Sequence, residues 1–381
     1  MNILTAGESH GPQLTAIIDG FPSGVAIDIE AINHVLAQRQ QGYGRGGRMK
    51  IEHDSIQITS GVRHGITIGS PITLVIENRD FEHWRDEMGV EETTYQTKRA
   101  VTAPRPGHAD LAGGMKRQFH DLRNVLERSS ARETAIRVAI GALCEQLLTQ
   151  LGIRHYSRVI SIGSAQDKTS VAQFLDHPVV DTDCRCASID GAKAMKHVID
   201  EAKQQRTTVG GVVQTIITGV PAGLGDYTQS HYKIDARLSM AVMSINAFKG
   251  VSFGDGFEIA SMWGRDAMDE IYYDGQFRRR SNVMGGIEGG MTNGEPLIIN
   301  GAMKPIPTQY HPLETVDIIT KASKRASVER SDACAVPAAS IVMEYVSLTE
   351  LTAVILDTFD SSTYMRLKQE WDHYCHEMEA Y

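Results

Sequence analysis

The sequence predicts an α+β fold in one large unit spanning residues 1–381. Three observations carry that prediction. Strand-like stretches come in adjacent groups and helical stretches come in groups, without the strict βαβ alternation of a doubly wound sheet. No low-complexity linker or run of like charges marks a domain boundary. A hydrophobic content of 41% with 22% charged residues fits a sizeable core.

The elements follow in chain order. Residues 12–20 and 56–77 are rich in Ile, Val and Thr and read as strands, with a short apolar strand ahead of Gly7. Ile29, Ile32, Val35 and Leu36 fall at helical spacing, with Asp28 in the capping position and Gly42 beyond the end. Residues 110–127 read as a helix opened by Asp110, and 131–151 as a long helix ending at Gly152. Residues 157–163 and 209–220 read as strands. Residues 190–205, 231–248 and 312–325 read as helices.

Composition narrows the classes of function. Net charge is −9, so the chain as a whole does not seek polyanions, and the clustering of its arginines in glycine-rich stretches gains meaning. Five scattered cysteines form neither a disulfide framework nor a zinc pattern, so no metal is expected. No apolar run reaches the roughly 18 residues of a membrane span. The start, MNILTAGESHG, lacks the pattern of a signal peptide, so a cytoplasmic protein with no membrane partner is expected.

Five constellations bear chemistry. Gly7-Glu8-Ser9-His10-Gly11 follows a strand, and a histidine between small residues there is exposed on two sides and free to transfer protons. Gln38 to Lys50 sets Arg39, Arg45, Arg48 and Lys50 on a glycine-rich loop, and guanidinium forks match phosphate and carboxylate geometry. In Arg105-Pro106-Gly107-His108-Ala109-Asp110 a turn leads to a helix entrance that Asp110 can cap, beside the positive dipole end. In Glu127-Arg128-Ser129-Ser130-Ala131-Arg132-Glu133, Ser130 and Glu133 have capping-box spacing, and free N–H groups with two arginines make an anion site. Lys304-Pro305-Ile306-Pro307-Thr308 and Arg330-Ser331-Asp332-Ala333-Cys334 are stiff segments suited to a flat ligand. Each also fits an ordinary turn, cap or connector. The arginine loop also fits an RNA-binding segment, which the acidic balance and the lack of repeated Gly-Arg units oppose, so no nucleic-acid partner is expected.

Taken together and in order, these segments resemble the chorismate synthase family. The most specific pieces are GESHG at 7–11, RSSARET at 128–134 and RSDACAVPAASIVMEY at 330–345, with PGHAD and KPIPT agreeing. The resemblance implies helices packed between antiparallel sheets, a β-α-β sandwich, and a homotetramer. It implies a lyase that eliminates phosphate and a ring proton, 1,4 and anti, from 5-enolpyruvylshikimate 3-phosphate over reduced FMN, without net redox change. Another reduced-flavin or phosphate-eliminating lyase on the same scaffold is the alternative.

The resemblance also implies roles. His10 is the acid that protonates the departing phosphate. His108 helps hold the reduced flavin in its working protonation state, and Asp332 assists proton transfer at the flavin N5 edge. Ser9 and Ser130 hydrogen-bond near these groups. Arg39, Arg45, Arg48, Arg105, Arg132 and Arg330 surround the substrate with His10. Arg39 and Arg45 also fall where the family places a nicotinamide nucleotide (NADPH as reductant), although the chain has no dinucleotide-binding fingerprint. Flavin contacts are implied for Arg128, Ser129, Ser130, Asn246, Ala247, Gly289, Lys304, Pro305, Ile306, Pro307, Thr308 and Arg330. Many members carry a denser arginine run where this chain has Ala37-Gln38-Arg39-Gln40-Gln41, and Gly47 stands where some have another arginine.

Overall fold

Alternation sets the first sheet. In the computed structural model, which describes residues 1–45, 54–329 and 331–381, Gln13–Asp19 buries Leu14, Ala16 and Ile18 on one face. That period of two is what a half-buried strand requires. Four antiparallel strands form this sheet in the order Asn2–Ala6, Gln13–Asp19, Ile72–Glu77, Ile56–Ser60. A second antiparallel sheet has five, in the order Phe248–Phe253, Leu297–Met303, Gly211–Thr218, Arg154–Ile162, Ala165–Gln166.

Two helices fill the space between. Thr134–Gln150 packs on the first sheet, Val336–Thr358 packs on the second, and the helices pack on each other. The layers therefore run sheet, helix, helix, sheet, in agreement with the expected sandwich. Val336–Thr358 is apolar nearly all round, the signature of a helix enclosed on every side. The helix pair closes tightly at Gly141, where a Cβ would stand 2.2 Å from the Tyr345 carbonyl oxygen. A larger side chain there would force the helices apart, at a cost of about 1–3 kcal/mol. One core cluster runs from Leu14 through both sheets to Trp371 in the last helix, Tyr364–Ala380.

Most expected elements are present, with instructive exceptions. The stretch 110–127 is two helices, Asp110–Arg117 and Arg123–Ser129, because Gln118 turns left-handed and stops the first. The stretch 56–77 holds four strands, the middle two a tight pair at Val62–Arg63 and Ile66–Thr67. The stretch 231–248 is a shorter helix, Ile234–Met243, whose C-terminal residues lead into the edge strand of the second sheet. The stretch 312–325 is not helical. It is a hairpin of Glu314–Val316 and Ser323–Arg325, whose turn is fixed by Asp317 accepting from the Ile319 and Thr320 N–H groups. Val336–Thr358 also has the length and apolarity of a membrane span, contrary to the sequence expectation, but 89% of its most apolar window is buried inside the fold.

Candidate active site

The strand Asn2–Ala6 delivers the chain to Gly7, whose φ of 109° turns Ser9 and His10 back over the sheet edge. Asn78, just past Ile72–Glu77 of the same sheet, clamps that turn by donating to the Ser9 and Gly11 carbonyls at 2.7 and 2.9 Å. His10 is not exposed on two sides as expected; it is 8% exposed. Its Nδ1 lies 2.9 and 3.0 Å from the two Glu127 carboxylate oxygens, and its backbone N–H donates to the same group at 2.8 Å. Burial opposes ionisation of Glu127, but its hydrogen bonds with His10 and Arg123 overcome that and hold it below the usual carboxylate range.

A second histidine–carboxylate pair lies at the other turn. Asp110 does not cap its helix. It is the first residue of Asp110–Arg117, and its carboxylate meets His108 Nδ1 at 2.6 Å and Arg105 Nε at 2.9 Å. Burial again opposes ionisation, and His108 and Arg105 more than offset it, so Asp110 is held well below its ordinary value. Arg105 Nη1 donates onward to Thr308 Oγ1 at 2.9 Å, which ties the 105–110 turn to the Pro-rich segment.

Hydrogen bonds join the two turns. Asn246 Nδ2 donates to the Ser129 carbonyl at 2.9 Å, two residues beyond Glu127. The Lys304 N–H donates to the Ala247 carbonyl at 3.0 Å, and Lys304 Nζ donates to the Gly107 carbonyl, next to His108. Burial, and then the charge of Lys249, push the Lys304 amine down. Arg128 is held to the first strand through Thr5 and Gly7. Ser130 caps through the Arg132 N–H at 3.3 Å, while Glu133 turns to Arg137 at 3.8 Å instead of closing the expected box.

The arginines divide. Arg39 is buried and donates to Thr134 Oγ1 and the Ala131 carbonyl, and Arg132 Nη1 meets Asp54 at 2.7 Å. Arg45 meets Asp332 at 2.8 Å, and the Ala333 N–H donates to the Gly44 carbonyl, so the arginine loop and the late motif converge. Pro305 is exposed, and Ile306 accepts from Thr208 Oγ1. Gly289 is exposed in the turn between Ile287–Glu288 and Met291–Thr292. Arg48 and Arg330 lie outside the described residues. Sequence reasoning gave no role to Glu127, Trp84, Asn78 or Asp54; only Glu127, standing directly before RSSARET, carried a signal. Among the described residues no group of three His, Cys, Asp or Glu could hold a metal ion.

Two histidine–carboxylate pairs set among arginines, on an antiparallel α+β sandwich, define an enzyme that moves protons beside a polyanion. The chorismate synthase family model matches residues 1–356. Chorismate synthases of Staphylococcus aureus strains Newman and MW2 are 52% and 53% identical over 377 residues, covering 97% of each chain. A crystal structure of chorismate synthase superposes with a TM-score of 0.80 at 36% identity, over 100% of this chain and 98% of that one. The chain belongs to the chorismate synthase family and is a carbon–oxygen lyase.

Proposed function

We propose that the chain, as one catalytic domain, converts 5-enolpyruvylshikimate 3-phosphate to chorismate and phosphate by anti 1,4-elimination. The carrying observation is the hydrogen-bonded path from the His10–Glu127 pair through Ser129, Asn246, Ala247 and Lys304 to the His108 turn. It links the turn of His10, read as the donor to the leaving phosphate, to the turn of His108, read as acting on the flavin, and so supports placing substrate and cofactor between them.

His10 gives a proton to the departing phosphate oxygen as the C–O bond breaks. Asp332 assists removal of the ring proton, and the C–H electron pair enters the new diene, so no net oxidation occurs. Ser9 and Ser130 orient the groups beside them. Arg45, Arg105 and Arg132, with Arg48 and Arg330, match the two carboxylates and the phosphate of the substrate.

Reduced FMN fits the remaining groups. Asn246 Oδ1 is buried without a protein partner, an acceptor suited to a ring N–H. Ser129, Ser130, Lys304, Thr308 and Arg128 would supply polar contacts around it, and His108 would help hold the reduced flavin in its working protonation state. Bound there, reduced flavin supplies electron density that eases loss of the phosphate. We read the reductant as external. Arg39 donates to Thr134 and Ala131 and Arg45 meets Asp332, so both arginines that the resemblance gives to a nicotinamide nucleotide already have protein partners. We also read the protein as a cytoplasmic homotetramer, for which exposed Met240, Phe257 and Trp263 offer apolar surface.

An anaerobic assay with chemically reduced FMN tests this reading, following chorismate and phosphate together. Equal production of both, absent with oxidised FMN, is expected. Phosphate without chorismate would instead mark another phosphate-eliminating lyase.

A further inference from the structure

We propose that Glu127 is the positioning residue of His10, fixing its ring tautomer and orientation from beneath while Trp84 fixes its plane. The inference rests on the reading of His10 as the proton donor to the substrate and names what makes that donor competent.

The geometry is specific. Both Glu127 oxygens lie within 3.0 Å of His10 Nδ1. An ionised carboxylate only accepts hydrogen bonds, so the Nδ1 position carries the hydrogen. In the imidazolium the second hydrogen is then at Nε2, the nitrogen away from Glu127, and that is the proton His10 gives up when it acts as an acid. Glu127 is itself immobilised. Its side chain is 1% exposed, Arg123 Nη1 meets it at 3.1 Å, and its backbone carbonyl accepts from the Ser9 N–H at 2.9 Å. One residue therefore grips the His10 turn through its carboxylate and its carbonyl.

Trp84 completes the setting. Its ring stacks on His10 with centroids 3.8 Å apart and planes 27° from parallel. Arg99 Cζ lies 3.8 Å and Arg123 Cζ 5.0 Å from the Trp84 centroid, and Trp84 Nε1 donates to Asp80 at 3.1 Å. Among the described residues, the charged groups around the imidazole and indole include Glu127 and Arg123 from Arg123–Ser129, Asp80 at the indole N–H, Arg99 on the indole face and Glu329 bound to Arg123 at 3.0 Å. A carboxylate gripped by an arginine can hold a histidine without leaving it.

The test compares wild type, Glu127→Gln, Glu127→Asp and His10→Ala. Glu127→Gln is expected to lower kcat by at least about 10–100-fold, the effect of removing a carboxylate that orients a metal-bound histidine, with KM within about twofold. Glu127→Asp should recover part of kcat. Nitrogen-15 NMR of histidine-labelled wild type, with His10 assigned by its loss in His10→Ala, should show the neutral ring protonated at Nδ1. A neutral wild-type ring protonated at Nε2 would overturn the proposal even if Glu127→Gln did not fold. So would a folded Glu127→Gln enzyme with wild-type kcat. Normal turnover by His10→Ala would instead remove the role of His10 itself, and this one with it.

Discussion

Arg45 Nη1 stands 2.8 Å from a carboxylate oxygen of Asp332, which joins the glycine-rich loop to a motif near the other end of the chain. The contact is reinforced one residue away on each side, where the Ala333 N–H donates to the Gly44 carbonyl. Gly44 adopts a φ of 91°, and a Cβ there would stand 2.9 Å from Ile199, so a larger residue would push the loop off the motif. Arg45 thus faces two tasks, holding Asp332 and meeting an anionic substrate. Arg45→Ala is expected to raise KM and lower kcat/KM about 10–100-fold, in line with a charged hydrogen bond of about 1.5–3 kcal/mol. Steady-state kinetics with an unchanged KM would remove the substrate role.

The two histidines are predicted to fail differently. His10→Ala should cut turnover by about 10²–10⁴-fold, the range of a lost general acid, while leaving flavin affinity near wild type. His108→Ala should change the reduced flavin's spectrum or its protonation with pH, because His108 sits on Asp110 at the turn that receives Lys304. Reduced-flavin titrations that are identical in His108→Ala and wild type would count against that role.

How much of this was legible in the sequence depends on the range of the interaction. The strand Gln13–Asp19 and the helices Ile189–Gln204 and Thr134–Gln150 are written in local periodicity, and they form as read. The 312–325 hairpin is not, because its turn depends on Asp317 receiving backbone N–H groups, and Asp317 also accepts from Thr102 at 2.7 Å. Asp110 illustrates the same limit at the site. A carboxylate at a helix start predicts a cap, yet Asp110 turns back to the preceding turn, accepting from the Arg105 backbone N–H and guanidinium and meeting His108 at 2.6 Å. Trp84 on His10 and Asp54 on Arg132 are contacts between distant segments that no spacing encodes.

Asn246 offers a cofactor test independent of turnover. Its amide donates to Ser129, which aims the buried Oδ1 at whatever else occupies the site. Asn246→Ala removes one acceptor and should weaken FMN binding by about 3–10-fold, the worth of one hydrogen bond of roughly 1 kcal/mol. Flavin fluorescence titration is the measurement. Unaltered affinity would place Oδ1 away from the flavin.

The last prediction concerns stability. His155 bridges Glu344 on the central helix, at 2.8 Å from Nδ1, and Glu145 on the neighbouring helix, at 3.0 Å from Nε2. Burial disfavours its charge, but the two carboxylates overcome that and push it up to about 10. Glu344 is also bound by Ser157 Oγ at 2.5 Å; burial opposes its ionisation, yet His155 and Arg185 hold it below its usual value. The signs differ for the two partners. His155 titrates higher in the folded than in the unfolded chain, so its contribution is complete below about pH 6.5 and is lost as pH rises towards 10. Glu344 titrates lower when folded, so its contribution is present above about pH 4.3 and is lost as pH falls through the folded value. The network is therefore worth most between about pH 4.5 and 6.5. Glu344→Gln leaves a buried histidine charge half-compensated, and should destabilise the fold by about 3–5 kcal/mol near pH 6. Above pH 9 the wild type has lost most of the same interaction, so the gap in Tm between the two proteins should narrow. Thermal melts across that range decide it, and a gap that stays constant with pH would show that the charge on His155 contributes nothing to holding the helix pair on the sheet.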